Sequence, residues 1–369
     1  VAFRRYLTDQ VARDLARKMV FLSGPRQVGK TTLALELGGT RAGYLNWDVP
    51  EHREAILARE LPATDLWIFD EIHKYRRWRN FLKGLYDARP EQRILVTGSA
   101  RLDLYRYAGD SLQGRYHHLR LHPLSVAELG GAPEHFEPLL TLGGFPEPFF
   151  SGSEVEARRW SLEYRRRLVR EEVTSLERVV ELDTLELLMM RLPELVGSPL
   201  SVNALREDLQ VSHQTIDSWL RIFERLYAIF RLPPFGAPRL RAVKKARKHY
   251  HLDWTLIRDS AGRFENLVAC ALLKWVDYQR DTQGRDLELR YFRDTDGREV
   301  DFVVLEGRSV LLLVESKLGE ARVDRSLRYL KRRFPDAEAW QVTAEGAKDF
   351  LDPEGIRVAP AHVFLAGLV

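Results

Sequence analysis

The chain has 369 residues, 45% of them hydrophobic and 30% charged, with a formal net charge of +4 at neutral pH. This profile excludes a disordered or fibrous chain, no apolar run reaches the roughly 20 residues of a membrane helix, and the single cysteine, Cys270, excludes an internal disulfide and a cysteine-based zinc site. At roughly 150 residues per domain the length predicts two or three domains, and an N-terminus without an apolar core predicts a cytoplasmic address with no membrane partner.

Residues 1–154 alternate short apolar runs with helical patterns, which predicts an α/β unit around a parallel sheet. The expected strands are Met19–Leu22, Gly43–Trp47, Leu66–Phe69, Arg93–Thr97 and Tyr116–Leu121. Between the first strand and the helix that opens at Thr32 lies Gly24-Pro25-Arg26-Gln27-Val28-Gly29-Lys30-Thr31, with Thr32 next. Glycines at this spacing let backbone N–H groups turn inward around phosphates. Lys30 would reach the β/γ oxygens and the Thr31 hydroxyl would ligate Mg²⁺. The following helix N-terminus favours an anion. ATP and Mg²⁺ are therefore expected along Gly24–Thr32.

The third strand ends in Asp70-Glu71, where Asp70 would hold the Mg²⁺ shell and Glu71 would polarise the attacking water. The fourth strand ends Val96-Thr97-Gly98-Ser99, so Thr97 or Ser99 would face the γ-phosphate. Arg115, after Gly114, is a candidate arginine finger or sensor. Gly24–Thr32, Tyr44–Asp48 with Pro50-Glu51, Asp70-Glu71, Thr97-Gly98-Ser99, Gly114-Arg115 and the turn Gly143–Glu147 together resemble a widespread family of bacterial and archaeal AAA-type ATPases fused to a C-terminal domain of long-uncharacterised function. The resemblance covers nearly the whole chain. It implies an ATPase core without fixing a substrate, and it allows a homo-oligomer through the ATPase domain.

Residues 155–238 turn helical. A helix at Val202–Leu209, a turn at Gln210-Val211-Ser212, a second helix at Gln214–Leu226 and a strand at Ile229–Leu232 follow the order of a winged helix-turn-helix. Ser212 would cap the second helix, and His213 and Gln214 would meet nucleic acid. Asp217 and Glu224 on the same helix oppose that use, so packing between domains is the rival role. Arg165, Arg166, Arg167 and Arg170 sit among Glu163, Glu171 and Glu172, the pattern of a self-paired exposed helix. The run Arg239, Arg241, Lys244, Lys245, Arg247, Lys248 holds no acid, and nucleic-acid phosphates are its expected partner, with a solvated linker as the rival.

Residues 239–369 read as a helix (Phe264–Tyr278), three strands (Leu287–Phe292, Glu299–Leu305, Ser309–Glu315) and a helix near Arg322–Arg333. Asp301, then Glu315 and Lys317, is the arrangement of the PD-(D/E)XK nuclease fold, with Glu265 matching its helix carboxylate and Val300 standing where the motif's proline would be. Adjacent antiparallel strands bring Asp301 and Glu315 together, and alternation puts Lys317 beside Glu315. Two carboxylates could then hold Mg²⁺, or Mn²⁺, while the lysine activates water. The expected whole is an α/β chain with an N-terminal P-loop AAA-type ATPase, a helical winged-helix middle and a C-terminal restriction-endonuclease-like domain. Its expected activity is ATP-dependent action on DNA, with RNA left open, and metal-dependent cleavage at Glu265, Asp301, Glu315 and Lys317. The alternative is an ATP-driven switch whose last domain only binds nucleic acid or a protein partner.

Overall fold

The computed structural model describes residues 3–98, 112–173, 181–236 and 246–369. Ser99, Arg239, Arg241, Lys244 and Lys245 lie outside the described residues. The chain forms two compact units, Val1–Pro123 and Leu124–Val369.

In the first unit five strands form one parallel sheet: β1 (Met19–Ser23), β2 (Ala42–Asn46), β3 (Leu66–Asp70), β4 (Arg93–Thr97) and β5 (Tyr116–Arg120). Their order is β2-β3-β4-β1-β5, so the strand ending in Thr97 lies between the strand leading to the phosphate loop and the strand ending in Asp70. β1 and β3 are buried along their whole lengths, as expected of parallel strands covered on both faces. Met19, Phe21, Trp67, Phe69, Ile94 and Val96 pack with Trp78, Phe81 and Leu82 of the helix Trp78–Ala88 into the main core. All C-terminal strand ends point the same way, which gathers Ser23, Asp70 and Thr97 along one edge.

The second unit opens with helices, among them Glu154–Arg167, Leu182–Arg191, Val202–Leu209 and His213–Arg225. Gln210 is left-handed at φ 54°, and the Ser212 side chain accepts the Thr215 N–H at 3.0 Å, which starts the second helix of the pair. β6 (Ile229–Leu232) follows and pairs antiparallel with β7 (Lys248–His251). The expected boundary at 238/239 lies between these two paired strands in sequence, outside the described residues. The basic run does not continue as linker to its end, because Lys248 is part of a strand whose four residues are all buried.

A helix of 24 residues, Ser260–Gln283, runs from an Asp259 cap to a left-handed Gly284. It precedes β8 (Leu287–Arg293), β9 (Glu299–Glu306) and β10 (Ser309–Lys317), an antiparallel meander whose β9–β10 turn is Gly307-Arg308. The helix Arg325–Arg333 then crosses to β11 (Glu338–Thr343), parallel to β10. β12 (Phe350–Leu351) and β13 (Ile356–Pro360) complete a six-stranded sheet of order β12-β13-β11-β10-β9-β8. Val300, Val303, Leu313, Leu327, Leu330 and Ile356 form its core on the side of the crossover helix. No helix among the described residues is long and apolar enough to cross a membrane.

Candidate functional site

The phosphate loop departs from β1 through Gly24, whose φ of 142° no side chain tolerates easily and where a Cβ would lie 2.2 Å from the Leu121 carbonyl oxygen. Gln27 (φ 61°) and Gly29 (φ 96°) are also left-handed, so the loop closes back on itself before the helix Lys30–Gly38. Val28 is buried beneath the loop and Arg26 is exposed. Lys30 is buried, and its ammonium donates to the Gly24 and Pro25 carbonyls at 3.0 and 2.7 Å. The lysine thus spans the concavity that the loop encloses. Arg5, which sequence reasoning passed over, is buried and donates to the carbonyls of Val28 and His122, both at 2.5 Å. Tyr6 reinforces the same corner by donating to the Arg120 carbonyl at 2.6 Å.

Asp70 is the centre of a ring of hydroxyls. Its Oδ2 accepts from Thr31 Oγ1 at 2.9 Å and from the Tyr44 hydroxyl at 2.8 Å, and its Oδ1 accepts from Thr97 Oγ1 at 2.7 Å. Burial, with the Asp70 charge beside it, pushes the Tyr44 hydroxyl up to about 12, so it stays a donor. Asn46 in turn donates to Tyr44 at 3.2 Å. Asp70 is surrounded by neutral donors, one of them the loop's own threonine. A Mg²⁺ ion fits this donor set: an anionic carboxylate and a hydroxyl already share one point, as an oxygen-seeking cation requires.

Glu71 follows in a left-handed conformation, φ 56°, that turns its side chain off the strand direction. Lys74 Nζ lies 3.3 Å and His73 Nε2 3.6 Å from Glu71 Oε2. Burial holds the Glu71 carboxyl above its ordinary range against the opposing charge of Lys74. A carboxylate raised in this way accepts a proton more readily, which suits a general base. Arg115 is a correction to expectation. It precedes β5, while the loop follows β1, and Met19 pairs with Tyr116 in a parallel register. One strand of five residues, about 16 Å at 3.3 Å each, separates Arg115 from the end of the sheet that carries the loop. Its guanidinium pairs with Asp87 at 2.8 Å instead, so it does not bind the nucleotide of its own chain.

In the second unit the carboxylates expected from the nuclease pattern do converge. The Asp301 N–H donates to Glu315 Oε2 at 3.2 Å, and Lys317 Nζ is 2.6 Å from Glu315 Oε1 and 3.2 Å from Asp324 Oδ2. Asp301 Oδ2 accepts from the Ser316 N–H at 3.0 Å and the Ser316 hydroxyl at 2.6 Å. Glu265, on the long helix, accepts from the Tyr250 hydroxyl at 2.7 Å. Lys248 corrects the expectation of a phosphate contact. It is buried, with Nζ 2.6 Å from Glu299, 3.1 Å from Glu265 and 3.5 Å from Asp301. Burial works against its charge, but the three carboxylates outweigh burial and raise its pKa.

A divalent metal does not fit here as it fits at Asp70. Ammonium groups already stand against both carboxylates, Lys248 against Asp301 and Lys317 against Glu315, whereas the donors to Asp70 are neutral hydroxyls. Burial, then the Asp301 charge, pushes the Glu315 carboxyl up to about 8 and Glu265 to about 7.

His213 and Gln214 are exposed at the start of their helix. Further along, Asp217 pairs with Arg221, and Arg231 of β6 bridges Asp217 and Glu224, so the acids on that face are internally neutralised. Arg247 is half-buried, its carbonyl accepting from Leu200 N–H at 2.8 Å. A basic surface that sequence reasoning missed lies on the crossover helix. There Arg325, Arg328, Tyr329, Arg332 and Arg333 line a groove of about 550 Å³. Positions 325, 328, 329 and 332 repeat at helical spacing, a signal readable in the sequence.

Residues 16–130 match a family model described as an AAA domain. Residues 133–266 and 262–364 match two models described as domains of unknown function, DUF8612 and DUF4143. The uncharacterized proteins Rv2008c of Mycobacterium tuberculosis and Mb2031c of Mycobacterium bovis are each 28% identical over 324 residues, covering 83% of this chain and 72% of theirs. Among solved structures, the RuvB Holliday junction branch migration motor of Thermotoga maritima is 18% identical, covering 62% of this chain and 89% of its own, at a TM-score of 0.30. A signal transduction ATPase with numerous domains and a tetratricopeptide repeat sensor, from Pyrococcus horikoshii, is 13% identical over 76% of this chain and 48% of its own, at 0.25. The AAA-domain match coincides with the parallel sheet and its phosphate loop, and the N-terminal region is an ATPase of the AAA, P-loop type.

Proposed function

We propose that this AAA-type ATPase is an ATP-driven switch whose C-terminal region has a nuclease-like fold and binds nucleic acid without cutting it. The observation that carries the ATP half is the Asp70 ring, in which Thr31 of the phosphate loop, Tyr44 and Thr97 meet one carboxylate. With ATP bound, Lys30 would exchange the Gly24 and Pro25 carbonyls for phosphate oxygens, and Thr31 and Asp70 would hold a Mg²⁺ ion, which would supply neutralisation of phosphate charge. Glu71 orients and deprotonates the attacking water, and Thr97, hydrogen-bonded to Asp70 from the intervening strand, registers the loss of the γ-phosphate. Arg115, at the other end of the sheet, can serve only the nucleotide of a second copy.

The nucleic-acid half is supported by the groove on the helix Arg325–Arg333, where Arg325 and Arg333 stand beside Arg328 and Arg332, which Asp352 and Glu354 hold in place. The exposed His213 and Gln214 and the residues Lys244, Lys245 and Arg247 extend the expected contact set. A second reading, metal-dependent cleavage, is favoured by the meeting of Asp301, Glu315 and Lys317 on neighbouring strands. Incubation with labelled single-stranded, duplex and branched DNA and with RNA, in Mg²⁺ or Mn²⁺ and with or without ATP, separates the two. The switch reading expects ATP turnover, retention of nucleic acid and no cleavage. Metal-dependent cleavage that Asp301→Ala removes would establish the second reading in its place.

A further inference from the structure

We propose that Lys248 is a built-in cation of the C-terminal carboxylate cluster, standing where a divalent metal would otherwise be held between Glu265, Glu299 and Asp301. The inference deepens the non-cleaving reading and rests on it. Three carboxylates reach one ammonium, Glu299 at 2.6 Å, Glu265 at 3.1 Å and Asp301 at 3.5 Å. They come from different elements: Glu265 from the long helix, Glu299 and Asp301 from the opening of β9. The two closer separations are hydrogen-bond distances between an ammonium and carboxylate oxygens.

Nor can the lysine readily leave. Its backbone sits in β7, paired with Leu232 of β6 and bridged to Pro199, and its side chain is 1% exposed. The face of Tyr291 lies 5.7 Å from the ammonium and adds an attraction for positive charge. On the far side of Glu265, a Cβ at Gly197 would lie 3.0 Å from Oε2, so the carboxylate is held against backbone and aimed at the lysine. The second oxygen of Asp301 is committed to Ser316. A metal would have to displace a buried ammonium and repel its charge at the same point. The arrangement supplies the cluster with a permanent positive charge, where a metal would do so only when bound.

The test is Mn²⁺ binding to the full, nucleotide-free chain, followed by calorimetry and by the effect of Mn²⁺ on thermal unfolding. Wild type, Lys248→Arg, Lys248→Met, Asp301→Asn and the double variant Lys248→Met/Asp301→Asn are compared, so that any ion at Asp70 is common to all. Wild type, Lys248→Arg and Asp301→Asn should bind alike. Lys248→Met should gain a site at least about tenfold tighter, which the double variant loses. If Lys248→Met folds only with Mn²⁺ present, the metal has replaced the ammonium and the proposal stands. Should it fold in neither condition, wild type against Asp301→Asn decides: equal binding supports the proposal, and binding that Asp301→Asn removes overturns it. A folded Lys248→Met that gains no site also overturns it. Wild-type metal binding without cleavage would sink this inference alone, whereas metal-dependent cleavage would sink the non-cleaving reading with it.

Discussion

Asp70 and Asp301 are both carboxylates at or near strand ends, yet the partners on their oxygens differ in charge. Around Asp70 the partners are the hydroxyls of Thr31, Tyr44 and Thr97, which orient the carboxylate without themselves carrying charge. Around Asp301 and its neighbours the partner is the ammonium of Lys248, which cancels charge as well as orienting it. Neutral donors prepare a site for a cation that comes and goes. A buried ammonium fills the site as part of the fold. Residues of the kind used in metal chemistry thus do not reveal whether their counter-charge is a ligand or a side chain.

The largest effects should come from the side that awaits its cation. Lys30→Ala should lower ATP turnover by about 10²–10³-fold, the loss typical of removing one preorganised donor to developing charge, read by phosphate release. EDTA should stop turnover altogether, while hydrogen exchange in β9 and β10 stays as it was; a loosening of those strands by chelation would break the comparison. Glu71→Gln should bind ATP and stall, and undiminished turnover would remove Glu71 from its role.

On the other side, Lys248→Met should lower stability by about 3–5 kcal/mol, the usual result of leaving buried charges without their partner. Lys317, which pairs with Glu315 and Asp324 but is 31% exposed, should cost clearly less when changed to Met. Urea midpoints of the two variants measure the contrast, and equal losses would mean that burial does not distinguish the lysines. A smaller effect is expected from Thr97→Val, which keeps shape and removes the hydroxyl on Asp70 Oδ1. Turnover should fall about tenfold, equivalent to about 1.4 kcal/mol, with ATP affinity little changed in a binding titration.

The smallest effect concerns charge that β7 must refuse. His249 and His251, on the same strand as Lys248, are buried, and burial lowers the first to about 4 and the second well below its ordinary value. The unfolded chain binds these protons near 6.5. As pH falls from there toward 4, these two sites take up protons in the unfolded state and not in the folded one, which lowers stability, while Glu265 and Glu315, held at about 7 and about 8 in the folded chain, act in the opposite sense. Urea midpoints across that window, compared between wild type and a variant with both histidines changed to glutamine, isolate the histidine part, and the variant should lose less stability toward pH 4.

Much of the first unit was legible because its elements are local. Loop, apolar strand and acidic strand end are contiguous in sequence, and β1, β3 and β4 appear within a residue of their expected bounds. The meander β8–β10 was legible for the same reason, down to Glu315 and Lys317 sharing a face. What escaped depends on residues far apart. Lys248 looked like the end of a solvated basic run because composition counts charge without seeing that the chain has entered a strand. Arg115 looked like a nucleotide ligand because a motif does not say at which end of a parallel sheet it falls. The strands β11 and β13, the second ending in Pro360, went unread because neither carries the alternation of a half-exposed strand: β11 is buried over five of its six residues.

Arg5 matters to anyone who cuts this protein into pieces. The AAA-domain match begins at residue 16, which invites a fragment starting just ahead of β1. Such a fragment would discard the guanidinium that ties the Val28 carbonyl to the His122 carbonyl, together with the Tyr6 hydroxyl on Arg120. The loop would keep every motif residue and lose the brace that fixes its curvature, so inactivity of a fragment trimmed there would report on the trimming and say nothing about the enzyme.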